Sequence, residues 1–178
     1  EGTSNENNIV FSFGSHETNY INEVINSIKS KFETTYNQFE KETSATQVQF
    51  NSKLLSILFK EILKTGEKAL TKRVPEIIYS VNPSLKKEFI LAYLQGDGSN
   101  VVTEHIGFRP EVCISTNSAS EFLSDDFLVL YSQIGMHANY QEAFIKGRVM
   151  EKTGQYISDT ISKRAYIKNP DTAYKLGL

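Results

Sequence analysis

The chain has 178 residues, 39% of them hydrophobic and 22% charged, with a formal net charge of −2. That is apolar material for one sizeable core, or for two small subdomains of about 90 residues each. No run of about 20 consecutive apolar residues occurs, which excludes a helical membrane span, and the polar start Glu1-Gly2-Thr3-Ser4-Asn5 lacks the features of a signal peptide. The one cysteine, Cys113, excludes an internal disulfide framework and a thiolate zinc cluster, and its neighbours Val112 and Ile114 predict a buried thiol. The chain reads as soluble, intracellular and cytoplasmic.

The charge alternates along the chain. Residues 1–28 carry four acids and no Lys or Arg; residues 29–87 carry eleven bases against six acids, a balance of +5. Residues 88–140 have one base against seven acids, and residues 141–178 seven bases against four acids. Two basic stretches can track a phosphate backbone, and they equally fit ordinary solvated surface.

In chain order, Asn8–Phe13 reads as a strand and Gly14-Ser15-His16-Glu17 as a turn. Tyr20, Ile21, Val24, Ile25, Ile28 and Phe32 then follow helical spacing. Alternating segments Thr35–Phe39 and Thr46–Phe50 predict a hairpin. Ser52 can cap a helix through Leu54, Leu55, Ile57, Leu58, Ile62 and Leu63, ended by Lys64-Thr65-Gly66. A short helix spans Pro75–Ser80. Asn82-Pro83 breaks it, and Ser84 serves as N-cap of a helix from Leu85 to Gly96. The apolar centre of that helix, Phe89-Ile90-Leu91-Ala92-Tyr93-Leu94, predicts burial on most sides.

The second half replays the first. Strand Val112–Ser115 corresponds to Ile9–Phe13, and Phe122, Leu123, Phe127, Leu130 and Ile134 stand 102 positions after Tyr20, Ile21, Ile25, Ile28 and Phe32. Asp97-Gly98 follows Glu1-Gly2 at an offset of 96, so an insertion of six residues near Thr103–Pro110 is implied. Further strands are expected at Glu142–Met150 and Gln155–Ile167. Such an internal duplication implies pseudo-two-fold symmetry.

The sharpest motif is Ile90-Leu-Ala-Tyr-Leu-Gln-Gly-Asp-Gly-Ser99. Ala92 and Gly96, four apart, share a helix face and allow a second helix to approach closely. Asp97 follows at the helix C-terminus, where the dipole disfavours a carboxylate; the placement points to function or a bound cation, while Asp-Gly is also a common turn pair. Two helices packed through small residues would bring Glu1 and Asp97 together. Paired carboxylates sharing Mg²⁺ ions suit in-line phosphodiester displacement.

Ile90–Gly98 resembles the LAGLIDADG signature, with Ala92 and Gly96 at its small positions and Asp97 as its final acid. Ile9-Val-Phe-Ser-Phe-Gly-Ser-His-Glu17 and Lys72-Arg-Val-Pro-Glu-Ile-Ile78 are similar to the blocks flanking it in intein-type (DOD-type) homing endonucleases, in the same order. The resemblance covers roughly residues 1–150. It implies a mixed α+β fold of two pseudo-symmetric αββαββα units: residues 1–83, lacking most of the first signature helix, and residues 84–178. Their antiparallel sheets would form a saddle for double-stranded DNA, with Thr34, Thr35, Asn37, Gln38, Thr46, Gln47 and Gln49 as readers of base edges.

The resemblance further implies a site-specific, Mg²⁺-dependent double-strand DNA endonuclease acting as a monomer. Glu1 and Asp97 would be the metal-binding acids and Lys72 an assisting lysine, with Lys163 or Lys146 as its counterpart. Gln95 replaces the usual acid two residues before Asp97. The protein-splicing residues are absent, since the first residue is Glu and the chain ends Lys175-Leu-Gly-Leu178; in an intein this segment would be the endonuclease insert, with the splicing domain and host protein outside it. The alternatives are a cleavage-inactive or truncated DNA-binding domain, favoured by the missing first helix, and a structural or interaction domain. His16, His105 and His137 have no ligand spacing and read as structural or surface residues.

Overall fold

Residues 45–50 alternate half-buried and buried side chains, so Thr46, Val48 and Phe50 face a core while Ala45, Gln47 and Gln49 face away. That alternation organises a computed structural model describing residues 2–41, 45–66, 69–103, 111–118, 120, 122–149, 156–157 and 159–168. The fold is mixed α+β with two four-stranded antiparallel sheets, one in each of two compact units, Glu1–Lys68 and Ala69–Leu178.

The first unit runs β1 (Gly2–Ser4), β2 (Ile9–Gly14), α1 (Thr18–Lys29), β3 (Tyr36–Lys41) and β4 (Ala45–Phe50), with strand order β1-β2-β4-β3. Ile21, Ile25 and Ile28 form one face of α1, at the spacing its apolar positions predict, and pack with Ile9, Val48, Phe50 and Leu55. Each such side chain contributes about 1.5–3 kcal/mol on full burial. Phe32 lies beyond the end of α1 yet still packs on this core. Ser52 caps α2 (Lys53–Ile57) by accepting the Leu55 N–H at 3.2 Å; a π-helical turn, Leu58–Ile62, continues it. Positive φ at Lys64 and Gly66 follows that turn. Residues 2–4 form a strand that the sequence reading lacks: β1 pairs with β2, and its buried Ser4 hydroxyl lies 3.2 Å from the hydroxyl of Ser56.

The second unit comprises a 3₁₀ turn at Ala69–Thr71, then α3 (Glu76–Ser80), α4 (Pro83–Gly96), β5 (Gly98–Thr103), β6 (Glu111–Ser118), α5 (Leu123–Gln133), β7 (Asn139–Ile145), a small ribbon of β8 (Arg148–Val149) and β9 (Tyr156–Ile157), and β10 (Thr160–Lys168). Its main sheet has the order β5-β6-β10-β7. Both sheets therefore place first, second, last and third strands side by side, with a helix between the second and third. Ile90, Ile114, Phe127, Leu130, Tyr131, Ala165 and Ile167 form its core. Gly135, at φ +76°, closes α5: its N–H reaches the Ser132 carbonyl, and the Met136 N–H reaches the Tyr131 carbonyl at 2.8 Å. Only a residue tolerant of the left-handed region serves there.

Four expectations are corrected. The N-cap of α4 is Asn82, whose side chain accepts the Leu85 N–H at 3.0 Å, and Pro83 opens the helix because its ring presets a helical φ and its missing N–H is not needed there. The same helix is not buried on most sides: Lys86 and Ile90 are buried, whereas Leu85, Glu88, Ala92, Gln95 and Gly96 are exposed along the opposite side. Cys113 is half-buried and accepts a hydrogen bond from the Arg164 guanidinium at 3.1 Å. Residues 69–83, read from the sequence with the first subdomain, belong to the second unit, where Val74, Ile78 and Tyr79 join the core. No helix among the described residues is long and apolar enough to cross a membrane.

Candidate active site

The corner between α4 and β5 is built by close packing. A Cβ on Gly98 would overlap the backbone of Leu94, lying within contact of its Cα and 2.7 Å from its carbonyl oxygen. Only glycine lets the strand leave the helix so tightly. Asp97 is thereby fixed as the last residue before β5, its N–H donating to the Tyr93 carbonyl at 2.8 Å. Its carboxylate adds negative charge to a helix end that is already negative. Lys72 offsets this: its Nζ stands 3.9 Å from Asp97 Oδ2, with the two side chains 22% and 32% exposed. A pair that exposed contributes at most about 1 kcal/mol to stability, so its significance is positional.

Lys72 sits in a stretch, residues 72–75, without helix or strand of its own. Residues of and before α5 hold it. The buried Ser120 hydroxyl donates to the Lys72 carbonyl at 2.6 Å. Asp126, 6% exposed, accepts Arg73 Nε at 2.8 Å, the other arm of that guanidinium at 2.9 Å and the Val74 N–H at 3.0 Å. The Arg73 guanidinium also lies 4.7 Å from the centre of the Phe122 ring. The hydrogen bond to Asp126 holds the Arg73 pKa above its ordinary value despite partial desolvation. Desolvation first, and then a hydrogen bond to Asp126, push the Tyr79 hydroxyl up as well.

The other sequence-derived candidates are placed differently. Glu1 lies outside the described residues; the next residue, Gly2, opens β1 as Gly98 opens β5. Lys163 is on β10, which β6 separates from β5. Its Nζ stands 3.9 Å from Glu142 Oε1, and its carbonyl accepts the Ser124 hydroxyl at 2.9 Å. Lys146 is exposed between β7 and β8. No group of three or more His, Cys, Asp or Glu stands together among the described residues. Mg²⁺ keeps several waters and often takes only one or two protein carboxylates, so the partly exposed Asp97 fits as one such ligand.

Each sheet has a face turned away from its helix. In the first unit that face carries Ser12, Asn37, Gln47 and Gln49; Gln47 Nε2 donates to Ser12 Oγ at 3.2 Å, and Gln49 Nε2 to Asn51 Oδ1 at 2.6 Å. Thr46, 3% exposed, shares the core side with Val48, and by register so does Gln38, so these two leave the set of predicted base readers. In the second unit, Ala165 and Ile167 face the core, which puts Arg164 and Tyr166, paired with Gln141 and Asn139, on the other side. The Arg164 guanidinium lies 5.2 Å from the centre of the Tyr166 ring.

No protein-family profile matches the chain. It is 27% identical over 132 residues to an uncharacterized protein of Methanocaldococcus jannaschii, covering 74% of this chain and 14% of that protein. Over 142 residues it is 28% identical to the DNA polymerase II large subunit of Thermococcus kodakarensis, covering 79% and 7%. With the replication factor C small subunit of M. jannaschii the identity is 27% over 134 residues, covering 71% and 7%. The chain thus spans a small fraction of each relative.

Sequence reading missed Asp126, Ser120 and the pairing role of Arg73. An acid in the first turn of a helix looks like ordinary dipole complementation. Only the fold shows that Asp126 instead turns inward to receive residues 73 and 74.

Proposed function

We propose that this chain is the DNA-cutting segment of a homing endonuclease of the LAGLIDADG kind, a site-specific, Mg²⁺-dependent double-strand DNA endonuclease carried within a larger host protein. The observation that carries the reading is the placement of Lys72 3.9 Å from Asp97, at the foot of a helix whose small residues Ala92 and Gly96 are exposed. The strand order shared by the two sheets supports a duplicated, pseudo-symmetric architecture in which each sheet serves one half of a target. The comparisons support it in another way. One segment similar to small parts of proteins with different names behaves as a transferable module, distinct from any single host activity.

Asp97 supplies an anionic oxygen beside the scissile phosphate, and Glu1 precedes Gly2 in the sequence as Asp97 precedes Gly98. Bound Mg²⁺ would supply charge neutralisation at the phosphate and a more acidic attacking water. Lys72 holds positive charge where negative charge develops and orients the water through its ammonium donors. Asn37, Gln47 and Gln49 in the first unit, with Gln141 and Arg164 in the second, offer the amide and guanidinium groups that pair with adenine and guanine edges.

The test uses the complete polypeptide that carries the segment, incubated with a randomised duplex library and Mg²⁺, with cut ends captured and sequenced. A recurrent cut sequence is expected. It should be lost in Asp97→Asn and Lys72→Ala while gel-shift affinity for the same duplex is kept, because most affinity comes from distant phosphate contacts. Steeply salt-dependent binding without cut ends would show a DNA-binding domain instead. Absence of both would refute the reading.

A further inference from the structure

Lys72 has no regular secondary structure to fix it, yet its side chain reaches Asp97. Residues 120–126 restrain its backbone neighbourhood: the Ser120 hydroxyl donates to the Lys72 carbonyl, and the Asp126 carboxylate accepts the Arg73 guanidinium and the Val74 N–H. A buried carboxylate accepting a two-armed guanidinium and a backbone amide is a directional anchor, because each oxygen fixes a different donor. We infer that Asp126 is a positioning residue: it holds the turn Lys72–Val74 so that the Lys72 ammonium stands against Asp97, with Ser120 as the second clamp. Its catalytic consequence rests on the endonuclease reading; the placement itself does not.

Asp126→Asn keeps the volume but loses the charge and the paired acceptor, so it should free Lys72 without emptying the core. The direct readout is acylation of lysines in the full chain by an amine-reactive ester, followed residue by residue in peptide digests. In the folded variant Lys72 should be acylated about tenfold faster than in the parent, the size of change expected for contacting, coupled groups. The buried Lys86 should stay slow, which certifies the fold. Asp125→Asn, at an exposed neighbour, should change nothing. If Asp126→Asn fails to fold and Lys86 becomes reactive, Ser120→Ala is the second variant; it removes the short Lys72 carbonyl bond together with the two 3.4 Å contacts from the Phe122 and Leu123 N–H groups, and should accelerate Lys72 acylation while Lys86 stays slow.

The second readout is single-turnover cleavage, which Asp126→Asn should slow about tenfold with the DNA Kd unchanged, a split that general destabilisation does not produce. Unchanged Lys72 acylation in a folded variant overturns the inference. If the parent cuts no DNA but Lys72 is released as described, the endonuclease reading fails and the clamp stands.

Discussion

Gly96 and Gly98 stand two residues apart in the same motif, and the structure assigns their alanine substitutions opposite signs. A Cβ on Gly98 meets Leu94 on three sides, with both its carbonyl oxygen and Cδ2 at 2.7 Å. Carbon–carbon contact needs about 3.5 Å or more, so the start of β5 and the last turn of α4 must part by roughly 1 Å. Most of the obstruction is backbone and cannot rotate away. Overpacking of that kind costs about 2–3 kcal/mol, which at about 4 °C per kcal/mol for a unit of this size lowers Tm by roughly 8–12 °C. A Cβ on Gly96 meets nothing within 4 Å, and this residue does not occupy the positive-φ region. Gly96→Ala should therefore stabilise by about 0.5–1 kcal/mol, through reduced freedom of the unfolded chain and better helix propensity. Scanning calorimetry of the parent and the two variants reads both signs. A Gly98→Ala chain as stable as the parent would refute the packing argument for the corner that carries Asp97.

Tyr131 is fully buried, and its hydroxyl has no hydrogen-bond partner among the described residues; Tyr131→Phe should raise stability by about 1 kcal/mol in denaturant titrations. Desolvation first raises the pKa of that hydroxyl. A folded-state pKa above the unfolded value of about 10 gives stability that is present below pH 10 and lost as pH rises beyond it, so the Phe variant should lose less stability than the parent above pH 10. Gly135→Ala should cost about 1–2 kcal/mol by forcing a Cβ into the left-handed region, visible as a lower unfolding midpoint. Gln47→Ala should weaken discrimination among duplex sequences by about 1–3 kcal/mol if its amide reads a base, with thermal stability unchanged; equal affinity for all sequences before and after would refute that role.

The elements with strong periodicity were legible in the sequence. The apolar face of α1 and the alternation of β4 record which side meets the core, whereas in β3 the exposed Phe39 lies on the outward face with Gln47. The edge strands β1 and β5 were not legible, because Gly2-Thr3-Ser4 and Gly98-Ser99-Asn100 lack alternation and owe their conformation to pairing with β2 and β6. The exposure of α4 was misjudged for a related reason: its apolar run says that the helix has contacts, not how many sides receive them. At the candidate site, Asp97 and Lys72 were found by motif. The 3.9 Å contact joins residues 25 positions apart and the Asp126 anchor reaches Arg73 across 53, and no local pattern carries such information.

The strand order also dictates when each unit can be completed during synthesis. In the first sheet the innermost pairing, β2 with β4, is available once Phe50 has emerged. In the second, β10 lies between β6 and β7, so those two strands have no common partner until residues 160–168 are made. From the end of β6 at Ser118 to Lys168 the ribosome must add fifty residues, about 3–10 s at bacterial-to-eukaryotic elongation rates. Throughout that interval Ile114 and Phe127 lack the Ala165–Ile167 surface that later covers them. A nascent chain stalled before residue 160 should bind hold-type chaperones through this unit, while its first unit is already native.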